Sequence, residues 1–582
     1  IMEIGLGEKL TDIGNKLRLV ANLVPGMLPG GQFQLQTTKK NGPHGQYDVK
    51  CFKNTPDCVG PHIRQYLRAN GDKDWIVYEK DRITFRQAEQ LLDQIGAELA
   101  ASFGVKQGTV VSIAMRNLPE YMIGFLAVVS MGGVGVPLNS LWGTQELEYA
   151  VKDSGTQVIF GDIQRLRSCL PFLNGSNIKT ILCRGTSAEA QEIGATMWDE
   201  MVASGKGKPF PSIQDIKPDD SVMIMYTSGS TGFPKGVVHS QLAMNTCLRL
   251  GVLSKFTIPD PAPACLLAVP LFHITALAGI FLISLARAEK IVLMYKWDAG
   301  EALDLIQNEK ISRFTGVPTM VGDMLNHPSF SQEKVKTLKV MGSGGGPVPP
   351  GQLEKTRKKA KSIGSAQGYG LTETFGVGTA ITGTDYLKNP GSCGKALPLI
   401  VDLCVKDASG KKLSEGMRGE VCIKTAMMMK GYNNKAKETA DVFDNEGYFH
   451  TGDVGEMHGG FLYIKDRLKD IIIRGGENID CSEVEGAFYT FPGSLVREVS
   501  VFGLPDERLG EVVGCCMYIE GPSPPLDDLR AHVLKCLAKF KVPEPNHIFI
   551  RNESLPKGAT GKIDKKGMRE FYKSKMAPTS KL

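Results

Sequence analysis

The sequence has no pair of cysteines in CxxC spacing and no group of histidines and cysteines with the spacing of zinc ligands. Its 13 cysteines are scattered, and only Cys515 and Cys516 are adjacent. Scattered thiols are typical of a reducing compartment, and the missing ligand spacing argues against a transition metal held by the protein.

A long, uninterrupted apolar run is also missing. The run from Tyr121 to Leu138 carries no charge, but glycines and Pro137 interrupt it. We therefore predict a buried helix followed by a strand, and no transmembrane span. Charged side chains between Glu3 and Lys16 argue against a secretory leader.

The charge excess is small. The sequence contains 68 Lys and Arg residues and 62 Asp and Glu residues, which gives a formal net charge of +6. The basic residues are spread along the chain and are not gathered into a basic arm. This balance argues against a nucleic-acid partner.

The chain of 582 residues is too long for one hydrophobic core, so several domains are expected.

The N-terminal region differs from the rest. Apolar residues at helical spacing predict an amphipathic helix over residues 3–24 that packs on the body of the protein, with peripheral membrane contact as the alternative. Residues 25–50 are rich in Gly, Pro and Gln, which predicts an extended linker.

Between about residues 60 and 460, apolar runs typical of strands alternate with helical segments. These runs are 109–115, 157–160, 179–183, 221–226, 265–269 and 290–294. The alternation predicts an α/β architecture with sheets covered by helices.

After Arg467 the elements become shorter, which predicts a small α+β domain. The predicted divisions are an N-terminal helix and linker (1–50), a large domain (51–466), a hinge (467–470), a small C-terminal domain (471–579) and a terminal tripeptide (580–582).

The sharpest local pattern is the segment 226–240, which directly follows an apolar strand. Its glycines allow backbone N–H groups to approach an anion, its hydroxyls donate hydrogen bonds, and Lys235 supplies a positive charge. The spacing is not that of a Walker A loop. The pattern nevertheless predicts a phosphate-binding loop.

This loop resembles the signature of the adenylate-forming superfamily of acyl-CoA synthetases, 4-coumarate-CoA ligases and luciferases. Four further segments match the motifs of this family in order, namely 367–374 (QGYGLTET), 448–453 (YFHTGD), 466–470 (DRLKD) and 556–562 (PKGATGK). The resemblance covers about residues 60–570 and implies a large domain of helix-covered sheets with a mobile α+β C-terminal domain. It also implies ATP, Mg2+, coenzyme A and a small carboxylic acid as ligands.

The resemblance assigns the nucleotide to three groups of residues, which are the phosphate loop (Thr227, Ser228, Gly229, Ser230, Thr231, Gly232 and Lys235), a glycine wall (Gly344, Gly345, Gly346 and Pro347) and an adenine motif (Gln367, Gly368, Tyr369 and Gly370). Within the last group, Tyr369 would stack on adenine. Asp453 would accept the ribose hydroxyls, a role suited to the two oxygens of a carboxylate, and Arg467 would assist it.

The resemblance also implies the catalytic roles. Lys562 would contact the substrate carboxylate and the α-phosphate, Thr372 would bind the α-phosphate, and Glu373 would hold Mg2+. Lys469 would be the pivot of a rotation of the C-terminal domain between two half-reactions. Gly475 and Gly476 would line the tunnel for CoA.

The acid site is less sharply defined. His273 matches a family position between the carboxylate site and the CoA tunnel, and we interpret it as a gate. The segments 272–277 and 314–320, with the glycines 344–346, predict an apolar and roomy pocket.

Three functions are compatible with these motifs. The first is a ligase for medium- to long-chain fatty acids, and the nearest alternative is a 4-coumarate-type ligase for aryl acids. A luciferase-like oxygenase is the second, and a non-catalytic binding protein is the third. The complete set of Lys235, Glu373, Asp453 and Lys562 argues against the last.

The final tripeptide Ser580-Lys581-Leu582 has the form of a peroxisomal targeting signal. It predicts recognition by the peroxisomal import receptor and a peroxisomal location.

Overall fold

The computed structural model describes residues 31–576 except 32, 228–232, 258–259, 261–262, 347, 349–350, 398, 495 and 559–561. Several predicted features lie outside the described residues. They are the N-terminal helix, the centre of the phosphate loop (Ser228, Gly229, Ser230, Thr231 and Gly232), Pro347 and the terminal tripeptide 580–582, whose targeting role stays a prediction.

The strands of the described residues are numbered in chain order. They are β1 Leu35–Gly42, β2 Gly45–Phe52, β3 Asp74–Tyr78, β4 Asp81–Thr84, β5 Val110–Ala114, β6 Val134–Pro137, β7 Val158–Gly161, β8 Lys179–Leu182, β9 Thr196–Met197, β10 Ser221–Thr227, β11 Lys235–Ser240, β12 Ala264–Leu267, β13 Lys290–Leu293, β14 Arg313–Gly316, β15 Val340–Gly344, β16 Gly364–Tyr369, β17 Thr379–Thr382, β18 Lys395–Ala396, β19 Val401–Lys406, β20 Gly419–Thr425, β21 Gly431–Tyr432, β22 Phe449–His458, β23 Phe461–Arg467, β24 Ile472–Arg474, β25 Glu477–Ile479, β26 Val496–Asp506, β27 Gly510–Ile519 and β28 Ile548–Arg551.

The helices are numbered in the same way. They are α1 Val59–Asn70, α2 Phe85–Phe103, α3 Pro119–Ser130, α4 Thr144–Ser154, α5 Ile163–Leu173, α6 Ser187–Ile193, α7 Trp198–Gly205, α8 Gln241–Thr257, α9 Ile274–Ala276, α10 Ile283–Arg287, α11 Ala299–Asn308, α12 Pro318–Asn326, α13 Gln352–Lys359, α14 Gly383–Lys388, α15 Ala436–Ala440, α16 Cys481–Tyr489, α17 Leu526–Cys536 and α18 Lys565–Met576. A π-helical turn, Leu277–Leu282, joins α9 to α10.

Two large, mainly parallel sheets form the body of the protein. One has eight strands in the order β21-β11-β10-β6-β5-β7-β8-β9, and the other has nine in the order β18-β17-β16-β15-β14-β12-β13-β3-β4. The antiparallel strands β19-β20-β22-β23 form a third sheet. The mixed α/β class predicted from the alternation of elements is confirmed.

Helix α3 explains the charge-free run of the sequence. All of its residues except Glu120 are buried, and β6 follows it after a short turn. A helix that is apolar on every side belongs in a core, and α3 contributes to the main hydrophobic cluster. The predicted helix and strand are confirmed, and no helix of the described residues is long and apolar enough to cross a membrane.

The prediction of an extended linker was wrong for residues 35–50. Strands β1 and β2 form a hairpin there, with Leu35 paired to Phe52 and Gly42 to Gly45. The alternating residues Tyr47, Val49 and Cys51 turn inward and pack on Ala426. This period of two was present in the sequence, but the flanking Gly, Pro and Gln residues concealed it.

The last sheet contains only strands from the C-terminal region, in the order β25-β24-β27-β26 with β28 beside β27. Its inner residues and those of α16 and α17 form a separate hydrophobic cluster. The chain changes sheet between Arg467, which ends β23, and Ile472, which begins β24. A large N-terminal part and a small C-terminal part follow from this arrangement.

Candidate active site

The phosphate loop is held at its base by a strand pair. Strand β10 ends at Thr227 and β11 begins at Lys235, and these two residues are direct cross-strand partners. The Thr227 hydroxyl donates a hydrogen bond to the Lys235 carbonyl at 3.5 Å. The strand pair therefore places Lys235 at the end of the loop, as the sequence pattern requires.

Tyr432 connects Lys235 to the predicted Mg2+ ligand. The Lys235 Nζ lies 4.8 Å from the centre of the Tyr432 ring. The Tyr432 hydroxyl donates to Glu373 Oε1 at 2.9 Å. Tyr432 lies outside the five matched motifs, and no pattern in the sequence pointed to it.

A tight turn presents Thr372 and Glu373. Both lie on the 3-10 turn Thr372–Thr374, and the Met429 N–H donates to the Glu373 carbonyl at 2.8 Å. Gly370 must be glycine here, because a Cβ at this position would lie 2.5 Å from the Gly376 carbonyl oxygen. Burial raises the pKa of the Glu373 carboxyl. A nearby cation would therefore stabilise its ionised form.

Asp453 lies at the centre of the predicted ribose site and is 4% exposed. Its Oδ2 accepts a hydrogen bond from the Tyr369 hydroxyl at 2.7 Å. Its Oδ1 lies 3.0 Å from the Arg467 Nε, because Asp453 and Arg467 are cross-strand partners in β22 and β23. Three predicted nucleotide residues are thus brought together.

Glu420 supports the turn that carries Asp453. Its Oε1 accepts from the Gly452 N–H at 2.9 Å, and its Oε2 lies 2.7 Å from the His450 Nδ1. Cys422 completes a group of three side chains with metal-ligating atoms within 4.8 Å of one another. Since these hydrogen bonds already engage Glu420 and His450, we interpret the group as a support for the ribose site.

The adenine motif lies at the carboxyl ends of two parallel strands. Gly344 of β15 pairs with Gly368 of β16, which aligns the glycine wall with the motif. The Gln367 side chain has protein partners, since its Oε1 accepts from the Tyr386 hydroxyl and its Nε2 lies 3.7 Å from the Cys393 sulfur. The structure therefore gives Gln367 a supporting role in addition to its predicted one.

Lys562 reaches the glycine wall from the C-terminal domain. A Cβ on Gly345 would lie 3.7 Å from the Lys562 Cε, and one on Gly346 would lie 3.9 Å from its Cγ. Although the residue as a whole is exposed, its side chain lies in a cleft between the two parts of the chain. Burial and the neighbouring Arg467 lower the pKa of Lys562 to about 8.

His273 faces the same cleft at the start of α9. Burial, together with the positive charge of Lys562, lowers the pKa of His273 to about 3. The imidazole is therefore neutral at physiological pH. The neutral ring of His273 is compatible with the predicted role as a gate. It is not compatible with a role as a cation that binds phosphate.

The predicted CoA residues are exposed to solvent. Gly475 and Gly476 form the exposed two-residue turn between β24 and β25, with φ of 59° and 90°. These angles are those of a type I′ hairpin turn, which glycine favours at both positions. Lys469 is exposed in the turn that joins β23 to β24. In the described conformation, Lys562 approaches the glycine wall, whereas Gly475 and Gly476 are exposed in a hairpin turn.

Comparisons with known proteins show which families and proteins this chain resembles. The family model for the AMP-binding enzyme matches residues 63–433, and the model for the AMP-binding enzyme C-terminal domain matches residues 483–562. A long-chain-fatty-acid–CoA ligase of Mycobacterium tuberculosis is 32% identical over 525 residues, which is 88% of this chain and 96% of the relative.

Two further proteins are similar over most of their lengths. A feruloyl-CoA synthase of a Streptomyces species is 31% identical over 84% of this chain and 94% of its own. The o-succinylbenzoate CoA synthetase of Bacillus subtilis, solved with its acyl-adenylate intermediate, matches with a TM-score of 0.73 and 26% identity over 87% of this chain and 97% of its own.

Proposed function

The chain belongs to the AMP-binding enzyme family and is an AMP-forming acid–CoA ligase, and we propose from this premise that it activates medium- to long-chain fatty acids. The observation that carries the proposal is the composition of two segments that approach the glycine wall beside Lys562, one through Thr275 and the other through Pro318. We interpret these segments as the walls of the acid site. The segments 271–277 and 314–320 contain no Lys, Arg, Asp or Glu. Their buried apolar members are Leu271, Phe272, Ile274, Ala276, Leu277, Phe314, Val317 and Met320.

Such walls select against a second charge on the acid. A dicarboxylic acid bound here would bury a carboxylate without a cation, which is costly. His273 supplies no charge, because its pKa is lowered to about 3 by burial and Lys562. An acid with one carboxylate and an apolar tail fits these walls. The relatives include both fatty-acid and aryl-acid ligases, so their sequence identities do not distinguish the two substrate classes. The apolar walls are what support a fatty acid as the substrate.

In the first half-reaction, the carboxylate attacks the α-phosphorus of ATP and displaces pyrophosphate. Lys562 neutralises the charge that develops where the carboxylate and the α-phosphate meet, and Thr372 donates a hydrogen bond to the α-phosphate. Lys235 binds the outgoing phosphates at the base of the phosphate loop. Asp453, between Tyr369 and Arg467, holds the ribose in register with the attacking acid.

The residues around Glu373 fit Mg2+. This ion prefers oxygen ligands and usually binds through one or two carboxylates together with phosphate oxygens. Glu373 offers a carboxylate whose pKa is raised by burial, beside the strand that begins with Lys235. Bound Mg2+ would neutralise charge on the phosphates.

In the second half-reaction, the thiol of CoA attacks the acyl carbon and AMP leaves. For this step, the C-terminal domain pivots at Lys469 and brings the turn of Gly475 and Gly476 to the acid site. The exposed position of this turn in the adenylation arrangement supports such a rotation. His273 then lies between the acyl carbon and the incoming thiol.

A panel of acids tests the substrate class. With purified enzyme, kcat/KM is expected to rise from butyrate through octanoate to dodecanoate, because each methylene buried in the apolar walls contributes up to about 0.8 kcal/mol. Adipate, matched in length to hexanoate but with a second carboxylate, is expected to be a poor substrate. A higher kcat/KM for ferulate or 4-coumarate than for every fatty acid would contradict the proposal and favour an aryl-acid ligase.

The nucleotide products provide a separate test of the reaction. Attack at the α-phosphorus predicts AMP and pyrophosphate in equal amounts with the acyl-CoA formed. Chromatography of the nucleotides after complete turnover measures this ratio. ADP and phosphate as the main products would place the attack on the γ-phosphorus and contradict the assigned chemistry.

A further inference from the structure

The N-terminal hairpin carries a buried lysine. Lys40 on β1 is 4% exposed. Its ammonium donates to two main-chain carbonyls, that of Ala426 at 3.2 Å and that of Met428 at 2.6 Å. Burial lowers the pKa of Lys40 to about 8, so the group keeps its proton at neutral pH. Burying a charged ammonium group costs free energy of solvation. A lysine at this buried position is therefore expected to have a structural or functional role.

The segment that Lys40 binds also holds Glu373. It joins β20 to β21, and its Met429 N–H donates to the Glu373 carbonyl at 2.8 Å. Strand β21, which directly follows this segment, ends at Tyr432, whose hydroxyl donates to the Glu373 carboxylate at 2.9 Å. Both the main chain and the side chain of Glu373 are therefore positioned by residues that follow the two carbonyls bound to Lys40.

The segment is also tied to β11, the strand that follows the predicted phosphate loop. The Lys430 N–H donates to the carbonyl of Val238 on β11 at 2.8 Å, and Tyr432 pairs with Val237. Strand β11 begins with Lys235. Lys40 thus binds one side of a segment whose other side contacts the proposed ligands of both Mg2+ and phosphate.

We infer that Lys40 is a positioning residue for Glu373, and that the hairpin β1–β2 is a part of the active site although it precedes the region matched by the family model, which begins at residue 63. The inference rests on the proposed role of Glu373 in binding Mg2+. Without the ammonium, the carbonyls of Ala426 and Met428 lose their donor, and the segment that sets the position of Glu373 can shift. Changes in residues that orient a metal ligand typically cost tenfold to a hundredfold in metal affinity or activity.

The test compares two neighbouring lysines. Lys40→Met removes the buried ammonium and keeps the length of the side chain. Lys39→Met removes the same charge from an exposed residue that pairs with Asp48 on the same hairpin. For each variant, pyrophosphate release with dodecanoate and ATP is measured as a function of the Mg2+ concentration, and thioester formation is measured from synthetic dodecanoyl-AMP and CoA.

Lys40→Met is expected to raise the Mg2+ concentration for half-maximal adenylation by about tenfold or more. It should leave thioester formation unchanged, since that step starts after pyrophosphate has left. Lys39→Met should match the wild type in both assays. Tyr432→Phe, which removes the hydroxyl on Glu373, should raise the Mg2+ requirement in the same direction, and its combination with Lys40→Met should give less than the sum of the two effects.

An equal Mg2+ requirement in Lys40→Met and Lys39→Met would overturn the inference, and so would an equal loss of both half-reactions in Lys40→Met. If Lys40→Met does not fold, Lys40→Gln replaces it, because a polar amide is tolerated beside the two carbonyls while its shorter side chain, without the charge, cannot keep both hydrogen bonds at their lengths. A raised Mg2+ requirement in Lys40→Gln supports the inference, and an unchanged one overturns it. Adenylation that needs no Mg2+ in the wild type would instead overturn the proposed role of Glu373, and this inference with it.

Discussion

Replacing Lys562 by alanine is expected to slow acyl-AMP formation by on the order of a hundredfold or more, by analogy with the loss of a group that stabilises developing charge. The reason is the position of its side chain, which lies against Gly345 and Gly346 where the acid and the α-phosphate would meet. A single-turnover assay with fatty acid, ATP and Mg2+ measures the rate. The variant should still convert supplied acyl-AMP and CoA to acyl-CoA at the wild-type rate.

The control is Lys557→Ala in the same motif. Lys557 forms an ion pair with Glu498 of the C-terminal domain at 2.6 Å. Its replacement should leave adenylation close to the wild-type rate. If Lys562→Ala lost both half-reactions equally while its thermal unfolding stayed that of the wild type, the assignment of Lys562 to the first half-reaction would be wrong.

The pH dependence offers a second control on Lys562. Burial and Arg467 lower its pKa to about 8 in the free enzyme. Only the protonated amine neutralises the developing charge, so kcat/KM for adenylation should fall as the pH rises through about 8. In Lys562→Ala this alkaline decrease should disappear from the residual activity.

Replacing Gly475 by leucine is expected to impair thioester formation and to leave acyl-AMP formation intact, which is the opposite of the effect expected for Lys562→Ala. The side chain would enter the proposed path of pantetheine, so acyl-AMP should form normally and accumulate on the enzyme. Thioester formation should fall by on the order of a hundredfold, as expected when the reacting groups are displaced by about 1 Å. Rapid quenching and quantification of bound acyl-AMP before and after addition of CoA measure both steps.

A strained backbone must be separated from a blocked path. Gly475 has a φ of 59°, so leucine there costs roughly 1–2 kcal/mol of stability whatever its role in catalysis. Gly521 provides the matched control, because it has a φ of 91° in open space on the same domain. Gly521→Leu carries a similar strain and should turn over CoA normally. Normal thioester formation by Gly475→Leu would remove this turn from the CoA path.

The sequence predicted the elements whose pattern is local. The apolar runs at 109–115 and 221–226 correspond to β5 and β10. A short apolar run bounded by turn residues usually forms a buried strand in an α/β protein. Helix α3 was equally clear from its charge-free composition. The matched motifs then identified Lys235, Glu373, Asp453 and Lys562, which the fold brings to one cleft.

Long-range contacts could not be predicted in this way. Tyr432 lies 59 residues from Glu373, and Lys40 lies 386 residues from Ala426. No local pattern links such pairs, because sheet order and the path of each connection decide them. The hairpin β1–β2 was missed for a related reason, since its inward residues pack on Ala426 and Leu242, which are distant in the sequence.

The transfer of oxygen from the acid to AMP tests the central claim most directly. Fatty acid labelled with 18O in both carboxylate oxygens is converted to acyl-CoA with unlabelled ATP in unlabelled water, and the AMP is analysed by mass spectrometry. Attack of the carboxylate on the α-phosphorus makes one labelled oxygen the bridge of the acyl-AMP, and attack of the CoA thiol at the acyl carbon leaves that oxygen on phosphorus. Adenylation at this site therefore predicts one 18O atom in each AMP, and AMP without 18O would contradict it.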